Sequence, residues 1–230
     1  MKPKIVGKIS IDVGMTVLLI LLMTFELIGR TIHEWIGIGV FVLFILHHIL
    51  NWKWSKNLFR GKYTVIRLFQ TVIAVLAFVL MIGTMVSAIL ISRQVFSFLP
   101  IHGGRSFGRT LHMFCVYWLF VILSLHLGIH WDRFIGMAGK IFQKPSRFRR
   151  IFLRVIEVGI ALYGVYAFIH REIPGYLFLQ VRFPFFDFEE PIFYFFIDYL
   201  AAMGLFVWIG HYLLKIIRWV QKRKQGKGER

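Results

Sequence analysis

Six apolar runs, most of them close to the roughly 20 residues needed to cross a bilayer, constrain this chain more than any other feature. Hydrophobic residues make up 58% of the sequence, and the runs lack the turn-punctuated amphipathic pattern of a soluble core. Hydrocarbon cannot satisfy free backbone polar groups, so each run should be helical. We therefore predict one all-α integral membrane domain over 1–230, a bundle with spans at about 9–29, 33–51, 66–91, 109–130, 152–170 and 192–215.

The basic residues predict the orientation of these spans. The net charge is +17, and 22 of the 28 Lys and Arg residues fall in the N-terminus, 52–67, 131–154 and the C-terminal tail. These four segments share one side of the membrane, so the positive-inside rule places both termini in the cytoplasm. The first run lacks a small-residue cleavage site, which favours a retained span over a signal peptide. Basic residues beside spans indicate lipid contact, and we expect no nucleic-acid partner.

Two equal histidine intervals stand out inside the apolar runs. His33 and His47 lie fourteen residues apart in the second span, and His112 and His126 have the same spacing in the fourth. Fourteen residues fall about 40° short of four helical turns and rise about 21 Å, so each pair shares one helix face. Each of these histidines taken alone could be a hydrogen-bonded packing residue. The repeated interval favours a shared function.

The second and fourth spans run parallel, since the third reverses the chain. His33 and His112 are therefore expected at one outer depth, and His47 and His126 at one inner depth. Two facing helices of this kind would present two imidazole pairs, which suits two six-coordinate haems with a histidine on each side of the iron. Attachment would be non-covalent, because the chain has no C-x-x-C-H motif, and its single Cys115 lies inside an apolar run.

The inner ligands have alternatives. His48 could replace His47, although it is about 60° from His33 on the helical wheel whereas His47 is about 40° away. His130 could replace His126, although it lies about 27 Å from His112 along the axis. We prefer His47 with His126. His48 and His130 would then hydrogen-bond a propionate, bind a quinone or face the inner interface.

The histidine blocks resemble the di-haem transmembrane cytochromes b, whose ligands lie thirteen or fourteen residues apart on two helices of a four-helix core. The segments "HEWIG…HHILNWKW", "HMFCVYWLFVILSLHLGIHW" and "FDFEEPIFYFFIDYLAAMGLFVWIGHY" are similar to an uncharacterised bacterial membrane family. Its members are often encoded beside flavin-attachment and flavin-bearing extracytoplasmic proteins. The resemblance implies two b-type haems, electron transfer, the bacterial cytoplasmic membrane and an extracytoplasmic redox partner, with a flavoprotein as the candidate.

Other residues could support such cofactors. Gly37 and Gly39 would let a flat macrocycle approach the second span, or would serve close helix packing. Three outer arginines could pair with haem propionates: Arg30, Arg105 and Arg109. His211, a polar residue within the sixth span, is a candidate for a quinone or proton role, whereas His102 in the outer loop is a weaker candidate.

Three function classes compete. The first is a transmembrane electron carrier between quinol or a cytoplasmic donor and an extracytoplasmic acceptor. The second is the haem-bearing anchor subunit of a larger quinone-linked oxidoreductase. The third, a transporter, is disfavoured because carriers usually have broken helices and carboxylates near the midplane. The sequence itself contains no nucleotide-binding motif, so NADH or flavin chemistry would belong to partners.

Overall fold

The computed structural model describes residues 3–101, 103–141, 146–181, 187 and 189–228, and all regular structure in these residues is helical. His102 lies outside the described residues. The helices are α1 (Pro3–Leu22), α2 (Phe25–Leu50), α3 (Trp52–Lys56), α4 (Val65–Ile91), α5 (Arg105–Ile129), α6 (Trp131–Ile141), α7 (Arg147–His170), α8 (Ile173–Leu177) and α9 (Ile192–Gly228).

Six of these helices are long and apolar enough to cross a membrane: α1, α2, α4, α5, α7 and α9. The predicted all-α class and the number of spans are therefore confirmed, and the chain is a multi-pass membrane protein. The later helices begin within five residues of the predicted starts. The last one, α9, continues well past the predicted end at 215, into the basic tail.

The first turn of the chain differs from the prediction. We expected the loop between spans one and two at 30–32, but α1 ends at Leu22 and α2 begins at Phe25. Thr24 is buried in the turn, and its hydroxyl donates to the carbonyl of Leu21 at 2.6 Å. Apolar residues continue on both sides, so hydropathy gave no sign of this turn. Gly29 then kinks α2 with a φ of 72°, a conformation that favours glycine.

Consecutive spans alternate in direction, so α2 and α5 are parallel. We call the end of the bundle that carries His33 the outer end, and the end that carries His47 the inner end, after the predicted orientation. The most buried span is α5, which packs along both α4 and α9, while α9 also packs on α7. By contrast, α2 packs chiefly on α1, and its backbone makes no extended close approach to α5.

Glycines let α5 and α9 approach almost to backbone contact. A Cβ added at Gly128 would lie 2.3 Å from the carbonyl oxygen of Val207, and one at Gly210 would lie 2.6 Å from that of Leu125. Small residues at such crossings are how membrane helices gain packing contacts without a hydrophobic driving force. This crossing fixes α5, and therefore the two histidines on it, against α9.

Candidate functional site

The outer histidines come together as the sequence predicts. The ring centroids of His33 on α2 and His112 on α5 lie 6.2 Å apart, with an angle of 68° between the rings. A metal held about 2.0 Å from a nitrogen of each of two imidazoles on opposite sides would leave the centroids about 6 Å apart. The spacing between these two rings therefore fits one metal between them.

The hydrogen bonds of His112 indicate which of its nitrogens is available. Its Nδ1 lies 3.1 Å from the hydroxyl of Ser87, and that hydroxyl donates to the carbonyl of Thr84 at 2.8 Å. The Ser87 oxygen therefore accepts from the His112 Nδ1–H. This hydrogen bond places the proton on Nδ1 and leaves the lone pair of Nε2 for a ligand, the arrangement that metal-binding histidines need.

His33 has a buried ring nitrogen without a hydrogen-bond partner among the described residues, Nδ1. Its ring meets Phe25 edge to face, with centroids 5.1 Å apart, so the surroundings on that side are apolar. Buried polar atoms in folded proteins are nearly always partnered. His33 therefore offers an imidazole nitrogen that no described residue engages, in a ring that also contacts the ring of His112.

Open space lies beside α2 at the turn below His33. A Cβ added at Gly37 or at Gly39 would meet nothing within 4 Å, in contrast to the glycines of the α5–α9 crossing. Of the two explanations considered for these glycines, close helix packing therefore has no support here. Space for a flat group beside the helix remains consistent with the structure.

At the inner end, His47 has a carboxylate partner that we did not predict. Its Nδ1 lies 2.7 Å from Oδ1 of Asp12 on α1. The side-chain amide of Asn51 lies 3.4 Å from the His47 Nε2, and the ammonium of Lys8 donates to the Asn51 Oδ1 at 2.8 Å. Metal-ligating histidines usually donate their second N–H to a carboxylate or carbonyl, so Asp12 makes His47 well suited as a ligand.

His126 and His47 are not brought into ring contact, unlike the outer pair. The nearest ring to His126 is that of His130, with centroids 4.8 Å apart and the rings nearly perpendicular. The Nδ1 of His126 is buried and has no partner among the described residues. His126, on the last turn of α5, and His130, directly after this helix, thus offer neighbouring imidazoles, and the choice between them stays open.

His48 packs against phenylalanine rings of α2 and α4. Its ring centroid lies 4.5 Å from that of Phe44 and 5.3 Å from that of Phe78, and both contacts are edge to face. It makes no side-chain hydrogen bond to any described residue. His48 thus lacks the carboxylate partner that His47 has, and the choice of His47 as the inner ligand stays a prediction.

A buried apolar layer separates the two histidine levels. Val40 of α2, Met81 of α4 and Leu119 of α5 form one cluster. Val40 is seven residues from both His33 and His47, and Leu119 is seven residues from both histidines of its own pair. The layer therefore lies midway between the outer and inner histidines.

The three predicted arginines, Arg30, Arg105 and Arg109, are exposed at the outer end, and none forms an ion pair with a described carboxylate. Arg105 lines a cavity of about 390 Å³ together with Arg93 and the turn after α4. These guanidinium groups are thus available to anionic groups, as the sequence interpretation requires.

Glu34, next to His33, organises the turn after α4. Its carboxylate accepts from the Ser92 hydroxyl at 2.7 Å and from three successive backbone N–H groups, Arg93, Gln94 and Val95, at 3.0–3.2 Å. A carboxylate that accepts several such bonds is strongly held. The contact joins the loop that leads to Arg105 to the helix turn that carries His33, and nothing in the sequence pattern indicated it.

His211 lies apart from the other histidines described above. It is buried in α9, and its Nδ1 is 3.6 Å from Oδ1 of Asp132, whose other oxygen accepts from Arg218 at 2.6 Å. His211 lines a cavity between α6, α7 and α9 at the inner end. The quinone or proton role suggested for His211 stays a prediction.

A polar cluster at the outer end is internally satisfied. Arg171 donates to both oxygens of Glu190 and, at 2.7 Å, to Oδ2 of the buried Asp198, whose Oδ1 accepts from Tyr163 at 2.6 Å. Burial works against the guanidinium charge, but these carboxylates outweigh it and raise the pKa of Arg171. His170 lies close enough to complete a set of three metal-binding groups. Every carboxylate oxygen of the set already accepts a hydrogen bond from a side chain of this cluster. These hydrogen bonds tie α7 to α9.

No family model, curated protein or solved structure matches this chain. The resemblance to the di-haem cytochromes b stays a prediction.

Proposed function

We propose that this chain carries electrons across the membrane and holds two b-type haems to do so. His33 and His112 would bind the outer haem, and His47 and His126 the inner one. The observation that carries the proposal is the 6.2 Å approach of the His33 and His112 rings, made by two parallel helices at one depth. The Nδ1 atoms of His33 and His126 support it, because both are buried without a hydrogen-bond partner in the described part of the chain.

The protein's own groups would perform three tasks. Ser87 and Asp12 would orient His112 and His47, because each lies within hydrogen-bond distance of the Nδ1 of its histidine. The layer of Val40, Met81 and Leu119 would keep water out of the midplane. The arginines at the outer end would neutralise anionic groups there. A bound haem supplies one-electron chemistry at its iron, with a potential set by ligation and burial.

The proposed setting is the cytoplasmic membrane of a bacterium with both termini inside. The clustering of 22 of the 28 basic residues on one side supports that orientation. Electrons would pass from quinol or a cytoplasmic donor to an extracytoplasmic acceptor. The family resemblance makes a flavin-bearing protein the first acceptor to test.

The test is the optical spectrum and haem content of the purified protein. Dithionite minus oxidised spectra should show b-type bands, and extraction should yield about two haems per chain. A variant with both His33→Ala and His112→Ala, made and purified in parallel, should retain one. A wild-type protein that is purified folded from haem-replete cells without colour would refute the proposal.

A further inference from the structure

A cavity of about 490 Å³ lies at the inner end between α6, α7 and α9. Three cationic side chains line it: Arg150 and Arg154, one turn apart on α7, and Lys215 on α9. None of them forms an ion pair with a described carboxylate, whereas Arg218 nearby is paired with Asp132. The cavity therefore collects positive charge that the described part of the protein does not neutralise.

The one carboxylate in the wall of the cavity is already engaged. Glu157 accepts a hydrogen bond from the hydroxyl of Tyr212, and the ammonium of Lys215 stands over the Tyr212 ring, 5.0 Å from its centroid. The balance of three cations and one occupied carboxylate favours an anion with several oxygens. Guanidinium groups match phosphate oxygens in geometry and charge.

The position of the cavity points to the source of that anion. Arg150 and Arg154 lie in the first two turns of a membrane-spanning helix, at the end where basic residues gather. Leu153, on the same wall, is 54% exposed and offers an apolar surface beside the cations. Cations next to exposed apolar side chains at this depth match a lipid, whose phosphate is followed by acyl chains.

We infer that this cavity binds a phosphate group, and that an anionic phospholipid of the inner leaflet supplies it. The site is separate from the histidine pairs and does not depend on haem. His211, which lines the same cavity, would then face a lipid headgroup.

The experiment measures thermal unfolding of the purified protein in nanodiscs of phosphatidylcholine, with phosphatidylglycerol added in steps. A parallel series adds inorganic phosphate to pure phosphatidylcholine discs. The variant is Arg150→Gln with Arg154→Gln. The matched control is Lys56→Gln with Lys62→Gln, which removes the same charge from inner residues that do not line the cavity.

Wild type and control should be stabilised by phosphatidylglycerol, and the cavity variant should need about tenfold more of it for half the effect. Inorganic phosphate should have little effect. The inference is overturned by equal responses of the cavity variant and the control, by no response of the wild type, or by inorganic phosphate reproducing the lipid effect. Should the double variant fail to fold, Lys215→Gln alone should show a smaller shift in the same direction, and an unchanged response would count against the site.

Discussion

Oδ1 of Asp12 lies 2.7 Å from Nδ1 of His47, which joins α1 to the inner end of α2. A carboxylate inside an apolar helix is costly unless it is partnered. Here the partner is one of the four histidines that the sequence nominates as ligands. The pair therefore links the first span to the proposed inner haem site, although α1 carries no candidate ligand itself.

Replacing Asp12 by Ala should weaken inner haem binding by about 10- to 100-fold, the usual effect of removing a group that orients a metal ligand. Haem retained during dilution or apo-protein titration measures the change. After dilution the inner haem should dissociate while the outer haem stays bound, so about one haem per chain remains. Glu26→Ala, at the start of α2, is the control and should keep both. Two tightly held haems in Asp12→Ala would contradict the assigned role.

His47→Ala should lose the inner haem, whereas His48→Ala should retain both. The reason is that His47 has the oriented carboxylate partner while His48 packs between two phenylalanine rings. Haem content per chain of the two purified variants gives the answer directly. The reverse pattern would make His48 the ligand.

Gly37→Leu should lower outer haem content without unfolding the protein. The side chain would enter space that is open in the structure and lies one turn from His33. Gly159→Leu on α7 is the matched control, because a Cβ there also meets nothing within 4 Å, and α7 carries none of the proposed haem ligands. Equal haem content in the two variants would show that the space beside Gly37 has no part in cofactor binding.

Gly128→Ala should destabilise the fold by about 1–3 kcal/mol, the typical cost of overpacking. The added Cβ would lie 2.3 Å from a backbone carbonyl of α9, which cannot move aside like a flexible side chain. Denaturant unfolding in detergent measures the difference against Gly159→Ala. Stability equal to that of the control would mean that α5 and α9 lie further apart at Gly128 than they do in the structure.

Glu34→Gln should loosen the turn after α4, because the charged acceptor of four hydrogen bonds is lost. Hydrogen bonds to charged groups contribute about 1.5–3 kcal/mol, so trypsin cleavage at Arg93 or Arg105 should accelerate about tenfold. Glu189→Gln, an exposed acid in the other outer connection, should leave the rate unchanged. Equal cleavage rates in the two variants would show that Glu34 does not hold the turn after α4.

Much of the fold could be read from hydropathy, since a span has to be apolar over its whole length. The α1–α2 turn could not, because Phe25, Leu27 and Ile28 continue the apolar run beyond it. A local hydrogen bond of Thr24 and the backbone freedom of Gly29 decide where the chain bends. In a sequence, neither a single threonine nor a single glycine is a strong enough signal to move a predicted helix boundary.

The candidate site, like the fold, could be predicted from the sequence only in part. Helical periodicity alone predicted that His33 and His47, and likewise His112 and His126, share a face and a depth. Partners from distant parts of the chain could not be predicted: Asp12 is 35 residues from His47, and Ser87 is 25 residues from His112. Such pairs depend on how helices rotate about their axes and pack.

By itself, the sequence determined that this is a membrane bundle of six helices with histidines at two levels, because hydrocarbon demands helices and the period of a helix is constant. Tertiary structure alone decided that the outer rings meet while the inner ones do not, and that Asp12 and Ser87 hold their histidines. The physical reason is that helix rotation and crossing are set by the summed packing of many side chains, including the close contact of Gly128 with Val207, and no local pattern encodes that sum.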